Sequence, residues 1–275
     1  MANDANTLTR EDALSYLRRF PSQGKAVVAA NLALVCSTNG VVFWLLMTDR
    51  LRSAHLIVLV VVEALLLVAI ARASAARVPR RDWSEQPRPW RERAPVLAFA
   101  LAWLGFAYGL TLLYVQGYAD LFALLRSPAA WTAAGLHWPL LLTLATALVH
   151  ASGDVAHYRR HGGPFLSSVS HDAMARWLTL LLGGIPFAMP FFAVAIGGFK
   201  GVEWLLERAR VKPHESVLGA IAMLGVAWGS FALIGVLVSG GVAGWAIGYV
   251  FAKLIAELAV ACVPLVMAHV ARHGP

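Results

Sequence analysis

The sequence predicts an all-α, polytopic bundle of transmembrane helices, and three observations carry that expectation. Hydrophobic residues make up 59% of the 275-residue chain and charged residues 14%, where a soluble domain has roughly a quarter charged. The apolar residues gather into separate runs long enough to span a membrane, which takes about 20 residues for a hydrocarbon core about 30 Å thick. The Arg residues sit mostly between those runs, the pattern of connections that touch anionic headgroups. The net charge of +8 therefore speaks to membrane topology, and no nucleic-acid partner is expected.

Taken in order, residues 1–25 form a polar tail. Thr9-Arg-Glu-Asp12 reads as an N-cap with an acidic first turn, followed by Leu14, Leu17 and Phe20 at helical spacing. This predicts a short amphipathic helix on the membrane surface. Residues 26–271 form one helical bundle and 272–275 a C-terminal tail. Within the bundle the expected spans are 26–47, 55–76, 95–115, 133–156, 175–198, 217–239 and 242–271, about seven helices and six at the fewest. Gly240-Gly241 should join the last two as a tight hairpin. Residues 200–212 read as a second amphipathic surface helix, and Pro186 and Pro190 should kink the fifth span.

The basic residues set the expected orientation. With the N-terminus inside, the inner segments carry 14 Lys and Arg and the outer ones 8, so the N-terminus is expected in the cytoplasm and the C-terminus in the periplasm of a bacterial inner membrane. The 72–94 connection, with Arg72, Arg77, Arg80, Arg81, Arg88, Arg91, Arg93, Trp83 and Trp90, should touch anionic lipid. Gly105/Gly109, Gly225/Gly229 and Gly244/Gly248 are each four apart, a spacing that permits close packing within the bundle or in a homo-oligomer or larger membrane complex. Cys36 and Cys262 both lie in apolar runs and suggest neither a disulfide framework nor a metal site.

Two groups of residues could carry chemistry. Glu63, Lys253 and Glu257 lie at membrane depth, where a charge costs at least about 2.5–3.5 kcal/mol and needs a partner or a wet cavity. Lys253 and Glu257 are i, i+4 on one helix and can pair, whereas nothing local neutralises Glu63. An intramembrane polar site of a transporter-like carrier or an accessory subunit is the leading expectation. The second group is His150, Asp154, His157 and His161 on one helix face, with His171 and Asp172 just beyond. Imidazole and carboxylate at HxxxH spacing suit Zn or Fe, so the rival is a metalloprotein or metalloenzyme at the inner membrane edge. Haem is disfavoured, because no partner imidazole stands at the depth of His150. The pair His269/His273 repeats the spacing, on what the expected topology makes the opposite face. Lys253 and Glu257 are likewise expected at a different depth from the His-rich stretch. No nucleotide-binding, hydrolase or zincin signature is present, and the sequence names no reaction.

A set of dispersed residues completes the reading: Asn31-Leu-Ala-Leu-Val, Glu63, His150, Arg176-Trp-Leu-Thr-Leu-Leu-Leu-Gly-Gly184, and Lys253 with an acid four residues on. In these the chain resembles an uncharacterised family of bacterial and archaeal multi-pass membrane proteins, a domain of unknown function. The resemblance implies weight on Glu63, His150, Lys253 and Glu257 and implies no reaction.

Overall fold

The computed structural model describes residues 9–19, 25–78, 90–114, 116–162, 167–182, 188–209 and 217–273. Among the described residues every element is a helix. In chain order these are α1 (Arg10–Arg19), α2 (Lys25–Met47), α3 (Ser53–Ala75), α4 (Trp90–Tyr114), α5 (Tyr118–Arg126), α6 (Pro128–Ala133), α7 (His137–His161), α8 (Ser168–Leu182), α9 (Ala188–Arg208), α10 (Val217–Ser239) and α11 (Gly241–His273). Among the described residues five runs, in α2, α3, α7, α10 and α11, are long and apolar enough to cross a membrane. The protein is a multi-pass helical membrane protein.

The sequence explains where the helices begin and turn. At the start of α1 the Thr9 hydroxyl accepts from the Asp12 amide at 3.2 Å, while the Asp12 carboxylate accepts from the Thr9 amide and hydroxyl. This reciprocal cap satisfies orphan donors of the first turn, and its hydrogen bonds hold the Asp12 carboxyl below its ordinary range. Between α2 and α3 the chain reverses at Asp49 (φ 54°), and the amides of Arg50 and Leu51 both donate to the Leu45 carbonyl at 3.1 Å, closing the last turn of α2. Between α10 and α11 the reversal falls at Gly241 (φ 57°).

Side-chain contacts fix the helix directions. Asn39 of α2 meets Glu257 of α11, and Asn31 shares a cavity with Ala261 and Pro264, so α2 and α11 are antiparallel. Arg10 of α1 donates to the Ala271 carbonyl at 3.1 Å. Both described termini therefore lie at one end of the bundle, here called the terminal end. The tight turns after α2 and α10 lie at the other, the hairpin end, together with α5 and α6. There Arg52 pairs with Asp120 at 3.0 Å. α3 and α7 run in the same direction, with Thr143 against Glu63 and Arg159 against the Arg77 carbonyl.

The expected seven-span topology puts the C-terminus on the face opposite the N-terminus, whereas Arg10 of α1 and Ala271 of α11 meet. The cause is the expected fifth span, 175–198, which belongs to two helices. α8 ends at Leu182 and α9 starts at Ala188, and the extra element reverses the direction of everything after it. Pro186 lies outside the described residues. Pro190 falls in the first turn of α9, where its missing N–H costs little. The expected surface helix at 200–212 is also different, since Lys200–Arg208 continues α9 without interruption and residues 210–212 lie outside the described set. Residues 79–89 of the 72–94 connection, with Trp83 and all three of its prolines, lie outside it too.

Packing divides the bundle along its length. Towards the hairpin end, Val42, Leu45, Leu56, Leu59, Val60, Leu136 and Trp245 form one buried apolar layer. A smaller cluster of Leu67, Ala147, Ala151, Val169 and Ala173 joins α3, α7 and α8 nearer the terminal end. The charged residues lie between the two.

Candidate functional site: an ion-paired belt beneath a polar cavity

Four ionisable residues from three helices meet at mid-depth. Glu63 on α3, Arg176 on α8 and Lys253 and Glu257 on α11 are 0%, 7%, 1% and 2% exposed. Lys253 Nζ stands 2.8 Å from Glu257 Oε1 and 3.4 Å from Glu63 Oε2. Arg176 Nη2 is 3.3 Å from Glu257 Oε1, and its Nε is 3.6 Å from Glu63 Oε2. Each cation thus touches both carboxylates, and the quartet is neutral when all four are charged. Asn39 donates to Glu257 Oε2 at 2.6 Å and Thr143 donates to Glu63 Oε1 at 2.8 Å. The other oxygens, Glu63 Oε2 and Glu257 Oε1, have charge contacts but no further hydrogen bond. Charges this far from water are tolerable only when so paired, and the belt ties α2, α3, α7, α8 and α11 to one register.

Above the belt, a cavity of about 60 Å³ reaches from the terminal end to Arg176 and Glu257, room for a few water molecules. Its polar wall includes Asn31, Thr38, Thr143, Thr146, His150, Ser168 and Asp172, and Tyr16 of α1 lies at its edge. His150 joins three helices there, with Nδ1 3.2 Å from Asp172 Oδ2 on α8 and Nε2 2.6 Å from Asn31 Oδ1 on α2. Below the belt, Tyr249 and Tyr108 place their hydroxyls 3.2 Å apart, and the Tyr108 hydroxyl donates to the Leu180 carbonyl. The apolar layer follows. From the terminal end towards the hairpin end, polar cavity, charged belt and apolar layer follow in sequence.

The expected residues divide as follows. Glu63, Lys253 and Glu257 do come together. His150 joins the same cavity as Glu257, which corrects the expectation of separate depths, because α11 runs opposite to the direction assumed. Asp154 instead caps α8, accepting from the Ser168 amide at 2.7 Å and hydroxyl at 2.8 Å, a favourable place for a carboxylate at a helix start. His157 and His161 stack at 4.6 Å, and His161 Nδ1 faces the His157 carbonyl. His171 Nδ1 faces the Ser167 carbonyl, with its ring edge-on to Tyr16. His269 and His273 stand 5.0 Å apart on the last turns of α11, at the same end as the first HxxxH and not the opposite one. Among the described residues no three His, Cys, Asp or Glu side chains converge on a point that could hold a metal.

Sequence reasoning left out Arg176, Asn39 and Thr143. Arg176 stands at the very start of the expected span 175–198, and the apolar run directly after it is the signal of a buried position. Compared with known proteins, the chain matches no family model, no curated protein and no solved structure.

Proposed function

We propose that this protein is a carrier of the bacterial inner membrane whose solute and coupling site is the cavity over Glu63, Arg176, Lys253 and Glu257. The observation that carries the reading is the order of layers along the bundle. A polar cavity ends at a neutral belt of four charges, with an apolar layer beyond it. Intramembrane ionisable groups facing a cavity are the usual mark of a solute or ion path, whereas a belt serving helix register alone needs no cavity.

Charge distribution supports an orientation with both termini in the cytoplasm. Arg50, Arg52 and Arg126 are the basic residues of the hairpin end, and Arg176 and Lys253 are in the belt. Among the described residues, Arg10, Arg72, Arg77, Arg159, Arg160 and Arg272 lie at the terminal end, the larger basic share that the positive-inside rule assigns to the cytoplasmic side. Anionic lipid around that basic end belongs to the same proposal. So does self-association through the outward face of α10, where Gly225 and Gly229 have open space around them. The alternative of a Zn or Fe centre has less support, since Asp154 is engaged by Ser168 and His157 and His161 stack on each other.

The test is electrical. Protein in liposomes on a solid-supported membrane is exposed to steps of pH and to a panel of small organic acids and amines. Wild type should give a transient current that Glu257→Gln lowers by roughly tenfold or more, the scale of one lost charge-assisted contact. His157→Ala/His161→Ala should leave it unchanged. A current indifferent to Glu257, or no current with any probe, counts against the carrier.

A further inference from the structure

Resting on that carrier reading, we infer that the coupling ion is the proton, loaded at His150 and Asp172 and delivered through the cavity to Glu257. Both ring nitrogens of His150 face oxygen acceptors. Nε2 is 2.6 Å from Asn31 Oδ1 and Nδ1 is 3.2 Å from Asp172 Oδ2. A neutral imidazole has one N–H and satisfies one of these contacts, whereas the imidazolium donates to both. The proton is therefore held between His150 Nδ1 and Asp172 Oδ2, and its presence clamps α7 to α2 and α8 together.

Charge balance leads to the same place. The cavity and belt hold three carboxylates, Glu63, Glu257 and Asp172, against two fixed cations, Arg176 and Lys253. One further positive charge balances them, and His150 is the group that can take it on and give it up near neutral pH. The groups that face or flank it are Asp172, His171 and Arg176 on α8, Asp154 on its own helix, Asn31 on α2, Tyr16 on α1 and Glu257 on α11. Asp154 is engaged by Ser168, which leaves Asp172 as the direct partner.

The transfer balances atom for atom. The proton enters from water at the terminal end and rests on His150. It leaves Nδ1 by way of Asp172 or cavity water and adds to a Glu257 carboxylate oxygen. Glu257 is then neutral, its pairs with Lys253 and Arg176 are lost, and both cations are left to Glu63. Protonation thus loosens the belt that joins α8 to α11, and return of the proton to water restores it.

Imidazole 15N NMR on the full chain in detergent, labelled at histidine and with His150→Gln to assign the signal, tests the inference. Between about pH 5 and pH 8, where imidazole ordinarily titrates, His150 should pass from two ring protons to one. Asp172→Asn should move that transition by about one pH unit or more. A His150 ring that keeps a single proton across the range overturns proton loading, even if the current still depends on Glu257. A titrating His150 beside a current indifferent to Glu257 overturns the carrier instead.

Discussion

Lys253→Met is expected to destabilise the protein by about 3–5 kcal/mol, the cost of removing one partner from a buried ion pair. Lys253 Nζ touches Glu257 at 2.8 Å and Glu63 at 3.4 Å, and all three side chains are closed to solvent. Methionine keeps most of the volume, so the loss is one of charge and not of packing. Two carboxylates then face Arg176 alone, and one of them is uncompensated. Adding Glu257→Gln to Lys253→Met restores neutrality, leaving Arg176 with Glu63, and should recover at least about half of the lost stability, because groups in one network couple. Thermal unfolding in detergent, followed by loss of the monodisperse species, reads both variants. An equal loss in the single and double variants would show that Lys253 acts through packing.

Gly244→Ala is expected to be nearly as damaging, through a wholly different cause. A Cβ on Gly244 would run into the backbone carbonyl of Leu237, and Gly240 Cα-side space is filled by Gly244 itself. Backbone cannot swing aside as a side chain can, so the cost should fall at or above the upper end of the roughly 1–3 kcal/mol typical of overpacking. Gly225→Ala, with nothing within 4 Å of its added methyl, is the control and should be close to neutral. The same thermal assay compares them. Similar small gains at both positions would mean that helix propensity, which favours Ala over Gly, and not the close approach of α10 to α11, decides the outcome.

These two residues also show what was legible in the sequence. Charges surrounded by apolar residues are conspicuous, so Glu63, Lys253 and Glu257 stood out, and the i, i+4 spacing paired two of them correctly. The Gly240-Gly241 hairpin was equally readable. Arg176 was not, because a charge near the start of an apolar run looks like a headgroup contact until the neighbouring helices are known. Asn39 and Thr143 are ordinary polar residues in apolar helices, and their place at the belt depends on register between helices far apart in sequence. The separation of α8 from α9 was hidden because the segment from 177 to 198 carries no charge, so hydropathy alone joins two helices into one span. That single error reversed α11, and with it the predicted depth of Glu257 relative to His150. The His/Asp face was a true helix face, but its members found separate partners: Ser168 for Asp154, Asp172 and Asn31 for His150, and each other for His157 and His161.

One-sided access is the centre of the account, and cysteine accessibility tests it most directly. In a Cys36→Ala/Cys262→Ala background, Thr146→Cys places a thiol on the cavity wall and Val60→Cys places one in the apolar layer. A small, charged, membrane-impermeant methanethiosulfonate is applied from one side at a time in oriented vesicles. The account predicts that Thr146→Cys reacts from the side of the terminal end and that Val60→Cys reacts from neither. Reaction of Val60→Cys from the hairpin side, or a Thr146→Cys silent from both sides, would contradict it.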